Sequence, residues 1–73
     1  MDYQAVIYDI VEDMIIDRAA SVHTTMAAAK ADFADLVAFV NSDNLHNENW
    51  DAPVWDTTDC YVTVNGLLDL ATN

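Results

Sequence analysis

The stretch VIYDIVEDMIID, residues 6–17, decides how the first third of this chain is read. Extended to both sides, its apolar residues place Tyr3, Ile7, Ile10, Val11, Met14 and Val22 on one side of a helix turning about 100° per residue, with Asp2 positioned to cap the start. The same turn sets Asp9, Asp13 and Asp17 at successive i, i+4 positions beside the apolar stripe. Asp2 falls on the same side and Glu12 widens the row. A helical step of four residues rises about 6 Å, close to two phosphate steps of a DNA strand at about 3.4 Å each.

Working outward, the only glycine and proline are Gly66 and Pro53, so nothing in residues 2–52 forces a helix to break. The cluster SVHTT, residues 21–25, weakens helix propensity and offers Thr24 or Thr25 as a new cap. A second helix is expected over residues 25–40, with Met26, Ala29, Phe33, Leu36, Val37 and Val40 along one face and Ala27, Ala31, Ala34 and Ala38 behind it. A helix apolar on both sides suits the centre of a small bundle or the seam of a homodimer, and one unbroken N-terminal helix is the variant of this reading. The Asn- and Asp-rich residues 41–53 predict a loop.

After the loop, Asp56 is placed to cap, Asp59 to reach back from the third position, and Trp55 to clamp onto Cys60. Residues 60–71, CYVTVNGLLDLA, then read in two ways. As a helix they gather Cys60, Tyr61, Val64, Leu67, Leu68 and Ala71 on one face; as a hairpin turning at Asn65-Gly66 they pair Val64 with Leu67 and Val62 with Asp69. An isolated two-stranded hairpin is marginal, so the expected fold is a single all-α domain, residues 1–73: a three-helix bundle, with α+β carrying a C-terminal hairpin as the alternative.

Composition narrows the function. In 73 residues, 13 acidic side chains face two basic ones, Arg18 and Lys30, for a formal net charge of -11. Nucleic acid and anionic membranes are disfavoured as direct partners, because both require Lys and Arg; a basic protein surface or a cation is favoured. The apolar share of 53% argues against intrinsic disorder, while a chain this short buries only about 60% of its unfolded surface and gains from a partner or a second copy. The lone Cys60 forms no internal disulfide, MDYQAVIYD lacks a signal peptide's basic start, and no apolar run nears the roughly 18 residues of a membrane helix, so a complete, soluble, cytoplasmic chain is expected.

Catalytic and metal motifs are sparse. His23, His46 and Cys60 lie in different elements, and a buried packing cysteine is the commoner role. A calcium loop starting at Asn47 has the rhythm Asn47, Asn49, Asp51, but Ala52 stands where glycine is required and Thr58 where the bidentate glutamate belongs. Size and acidity suggest acyl carrier proteins, yet Ser42 in NSDNL does not form their Asp-Ser-Leu attachment sequence. No enzyme activity, cofactor or metal is expected.

What distinguishes the acid is its missing counter-charge. Surface helices commonly set Lys four residues from acid, and here like charges stack. Salt adaptation is the competing explanation, against which a mean hydropathy of +0.08 weighs. The sequence points to a small acidic inhibitor that presents carboxylates in place of phosphates to the basic groove of a nucleic-acid-binding protein. The expected partner-binding residues are Asp2, Asp9, Glu12, Asp13, Asp17, Asp32, Asp35, Asp43, Glu48, Asp51 and Trp50, the tryptophan accepting Arg through its ring face. In size and charge, though in no motif, the chain resembles phage-encoded anti-restriction and anti-CRISPR proteins and uracil-glycosylase inhibitors, which implies an inhibitor acting inside a host cell. The alternatives are an acidic interaction module, such as an antitoxin, adaptor or small subunit, and a calcium-responsive module.

Overall fold

Residues 5–8, AVIY, are apolar and aromatic without alternation, and in the computed structural model, which describes residues 1–46 and 54–73, they lie in a strand and are buried on both of its faces. Ala5, Val6 and Ile7 are fully buried and Tyr8 nearly so. Four consecutive buried residues do not fit the single stripe of a surface helix, but they do fit an inner strand covered on both sides. The N-terminal helix is therefore replaced by an antiparallel hairpin of β1 (Tyr3–Asp9) and β2 (Met14–Arg18). At its turn Asp9 Oδ1 accepts the Val11 and Glu12 N–H groups at 3.0 and 3.2 Å, and Asp13 takes a positive φ of 54°. The register shifts between Ile7 and Tyr8: Ile7 faces Asp17 and Tyr8 faces Ile15, so Ile16 is the extra residue of a bulge and turns into the core.

The C-terminal segment corrects the bundle a second time. Asp56 accepts Thr58 N–H and Asp59 accepts Asp56 N–H, so the capping box is present, yet it starts only a single 3₁₀ turn (Thr57–Asp59) before the chain extends into β3 (Cys60–Val64) and β4 (Leu67–Asp69). Asn65 and Gly66 take φ of 51° and 84°, as the hairpin turn requires, and the register is Val64↔Leu67 and Val62↔Asp69. The hairpin is not marginal because it is not isolated: β3 also pairs with β1, Tyr3↔Val64 through Ile7↔Cys60. The result is an α+β fold on a four-stranded antiparallel sheet of order β2-β1-β3-β4, not a three-helix bundle.

The middle of the chain is helical, as expected. Thr25 is the N-cap of α1 (Met26–Lys30), its hydroxyl accepting Ala28 N–H at 3.2 Å, and α2 (Phe33–His46) follows after a break. Residues 41–46, expected as loop, continue α2; the Asn41 side chain ties that turn to the Trp55 backbone with two bonds of 2.9 Å. α2 lies against one face of the sheet, where Leu36, Val37 and Val40 meet Ala5, Ile7 and Cys60, with Ile16, Ala19, Phe33 and Trp55 at the margin, and α1 also contacts β1 and β3. Cys60 is the packing residue anticipated, on a strand and not on a helix. Ala27 and Ala31 in and after α1 and Ala34 and Ala38 on α2 are all exposed, so the alanine face has no second neighbour of the kind the bundle needed among the described residues. On the opposite sheet face Tyr8 and Tyr61 meet edge to face, ring centres 5.8 Å apart.

Candidate functional site

The strands redistribute the acidic residues. Asp9 ends β1, Asp13 lies in the turn and Asp17 is on β2, so the helical row of Asp9, Asp13 and Asp17 does not exist. What remains is two groupings joined by β2. At the hairpin tip Asp9, Glu12 and Asp13 surround Ile10 and Val11, which are 67% and 86% exposed. Asp9 is occupied in folding the turn, and Asp13 accepts the Tyr8 hydroxyl, an interaction that raises the Tyr8 phenol above its ordinary value of 10.

The second grouping is concave. The chain leaving β2 passes beside α2, and between them opens a groove of about 350 Å³ lined by Asp17, Arg18, Ala19, Ala20, Ser21, Asp32, Asp35, Leu36 and Phe39. The bulge that turns Ile16 inward also sets Asp17 opposite Ile7, on the helix side of the sheet. From α2 and the residue preceding it come Asp32, Asp35, Leu36 and Phe39, spaced i, i+3, i+4, i+7 and therefore on one side of the helix. Leu36 is buried beneath the groove while Phe39 remains 65% exposed. Asp32 Oδ2 lies 2.8 Å from His23 Nε2, tying the connection before α1 to the start of α2. Asp17 Oδ1 accepts Arg18 N–H at 2.8 Å.

Of the other expected residues, Asp2 sits at the opposite end of β1, where its backbone exchanges hydrogen bonds with Asn65, and Asp43 is on α2. Glu48, Trp50 and Asp51, with the calcium-loop positions Asn47 and Asn49, fall outside the described residues. Residues 18–21 and Phe39 are not among the expected partner-binding residues. The i, i+3, i+4, i+7 series from Asp32 is the signal available for Phe39, while residues 18–21 reach the groove from the end of β2 and the chain that leaves it. No family model, no curated protein and no solved structure matches the chain.

Among the described residues, Asp43 apart, one carboxylate meets a basic side chain, Asp32 at 2.8 Å from the His23 ring, and neither Arg18 nor Lys30 pairs with a described carboxylate. Five carboxylates instead cap backbone N–H groups: Asp9, Asp17, Asp56, Asp59 and Asp69. This orders the local chain but cancels no charge. Cys60 offers no nucleophile: burial, then Asp59 and Asp56, push its thiol up to about 11. Among the described residues no group of three or more His, Cys, Asp or Glu side chains is placed to hold a metal, and no helix is long and apolar enough to cross a membrane.

Proposed function

We propose that the chain is an acidic binding module for a basic protein surface and, more narrowly, that it inhibits a nucleic-acid-binding protein by occupying its basic groove in place of phosphates. One observation carries the reading: 13 acidic side chains stand against two basic ones, and neither base is used as counter-charge among the described residues. A surface serving solubility alone mixes both signs. A field of one sign steers an oppositely charged partner into encounter and raises its association rate, an effect that salt weakens. Exposed apolar side chains lie among the acids, Ile10 and Val11 at the hairpin tip and Phe39 at the groove. They supply the desolvated contacts that hold a complex once it has formed.

Support for the narrower claim is charge, not spacing, because the helical row that matched a phosphate repeat is gone. Competition separates the two levels. The purified target's affinity for DNA or RNA is measured by anisotropy as the acidic chain is added: loss of nucleic-acid binding that titrates with the chain supports mimicry. A target that holds both together leaves an interaction module of the adaptor or antitoxin kind. If neither basic proteins nor basic peptides bind, both levels fail.

A further inference from the structure

We propose that the groove between the chain leaving β2 and α2 docks an arginine-bearing segment of the partner, one guanidinium entering among Asp17, Asp32 and Asp35 with its plane against Phe39. This deepens the reading of the chain as a binder of basic surfaces and rests on it. The groove is a concavity and not merely a cluster of acids: about 350 Å³ lies over buried Leu36 and half-buried Ala19, at the small end of the range for ligand pockets and suited to a side chain with its neighbour. Phe39 is the second feature. The core face of α2 is already supplied by Leu36, Val37 and Val40, so an aromatic ring left 65% exposed on the groove side contributes little to folding.

Charge selects the occupant. Asp35 has no hydrogen-bond or ion-pair partner among the described residues, Asp17 engages only the adjacent Arg18 N–H, and Asp32 is engaged by His23 through one oxygen. Arg18 lines the groove and pairs with none of them, so among the described residues no Lys or Arg occupies these carboxylates. A second copy of this chain brings another -11 charges and is repelled. Arginine fits better than lysine because its planar guanidinium donates to several carboxylate oxygens while stacking on an aromatic face, and a lysine ammonium does not stack in this way.

The test is an amide chemical-shift titration of the full ¹⁵N-labelled chain with a short capped peptide of alternating arginine and leucine, alongside its lysine counterpart and arginine amide alone. Shifts are expected at residues 19–21, 35 and 39, with the arginine peptide binding more tightly than the lysine one. Phe39→Ser weakens binding about fivefold and Asp35→Asn about threefold. Asp69→Asn removes the same charge at the opposite sheet edge, three strands from β2, and leaves affinity within about twofold. Thermal melts verify that each variant is folded, which an exposed Phe39 and Asp35 allow. Shifts centred on the hairpin tip, with both groove variants unchanged, overturn the groove and leave the basic-partner reading standing. Arginine amide binding as tightly as the peptide makes this a small-cation site and also overturns the proposal. Absence of saturable binding by either peptide, together with failure to bind any basic protein, removes the parent reading as well.

Discussion

Replacing Gly66 with alanine separates the hairpin from the helix that residues 60–71 also encode, because the two conformations assign the substitution opposite signs. Gly66 sits at φ 84° beside Asn65 at φ 51°. Nothing lies within 4 Å of where its Cβ would stand, so the added methyl meets no neighbour and the whole effect comes from the backbone. Holding an L-residue in the left-handed region costs about 1–2 kcal/mol. In the interior of a helix the same change would gain about 0.8–1 kcal/mol. A domain of this size shifts its Tm by about 4–8 °C per kcal/mol, so Gly66→Ala should lower the midpoint of a far-ultraviolet circular-dichroism melt by at least about 4 °C and the urea midpoint in proportion. Asn65→Gly is the companion: it keeps the positive φ but deletes the amide oxygen that accepts Asp2 N–H at 2.8 Å, for a loss of about 0.5–1.5 kcal/mol. A Gly66→Ala chain that melts higher than the parent refutes the turn, and with it the pairing of β3 to β4.

Thr72→Val should lower stability by about 1–3 kcal/mol, since the buried hydroxyl accepts Val62 N–H at 2.7 Å and donates to the Asp69 carbonyl at 2.6 Å. Faster hydrogen exchange at the Val62 amide is the local readout, and an unchanged urea midpoint would mean the hydroxyl does not hold the edge of β3. For Cys60 the folded thiol is raised from 9.0 to about 11, so the protonated form is favoured in the fold; its stabilisation is complete below pH 9 and is lost as pH rises through 11. Denaturant midpoints between pH 8 and pH 11.5 should fall more steeply for the parent than for Cys60→Ala, while Tyr8, also raised, contributes equally to both. Sodium chloride should raise Tm up to about 0.3 M and then level off as self-repulsion is screened; a rise continuing to molar salt would instead identify a salt-adapted surface.

Local signals in the sequence were legible wherever one segment carried them whole. Thr25 caps α1, Asp56 and Asp59 form the reciprocal cap, and Leu36, Val37 and Val40 face the core, all as their spacing requires. Even the β3–β4 register followed from Asn65-Gly66. What spacing could not supply was β1 as the third strand. The Cys60–Val64 segment becomes stable as β structure through partners almost sixty residues away, and no window of sequence contains both. The two hairpins are therefore interdependent: without a strand at residues 3–9, a hairpin at residues 60–69 has nothing to join.

The acidic row fits two periods at once. A separation of four lies close to one helical turn of 3.6 residues, but it is also an even number, so a spacing that aligns carboxylates on a helix equally aligns them on one face of a strand. Asp9, Asp13 and Asp17 obey both periods, and apolar Ile7, Val11 and Ile15 do the same. The discriminating signal was composition: Val6-Ile7-Tyr8 and Ile15-Ile16 are short β-branched and aromatic runs, which resist helix and suit a pleated surface, and between them DIVED carries the acids that fold a turn. In a hairpin the carboxylates no longer match a phosphate repeat, whereas the net charge is unchanged. Self-repulsion and steering depend on how many charges are present and how few are answered, not on the element that carries them. Geometry is a separate matter, and here Asp17 of the bulged strand lines one groove with Asp32, Asp35 and the exposed Phe39.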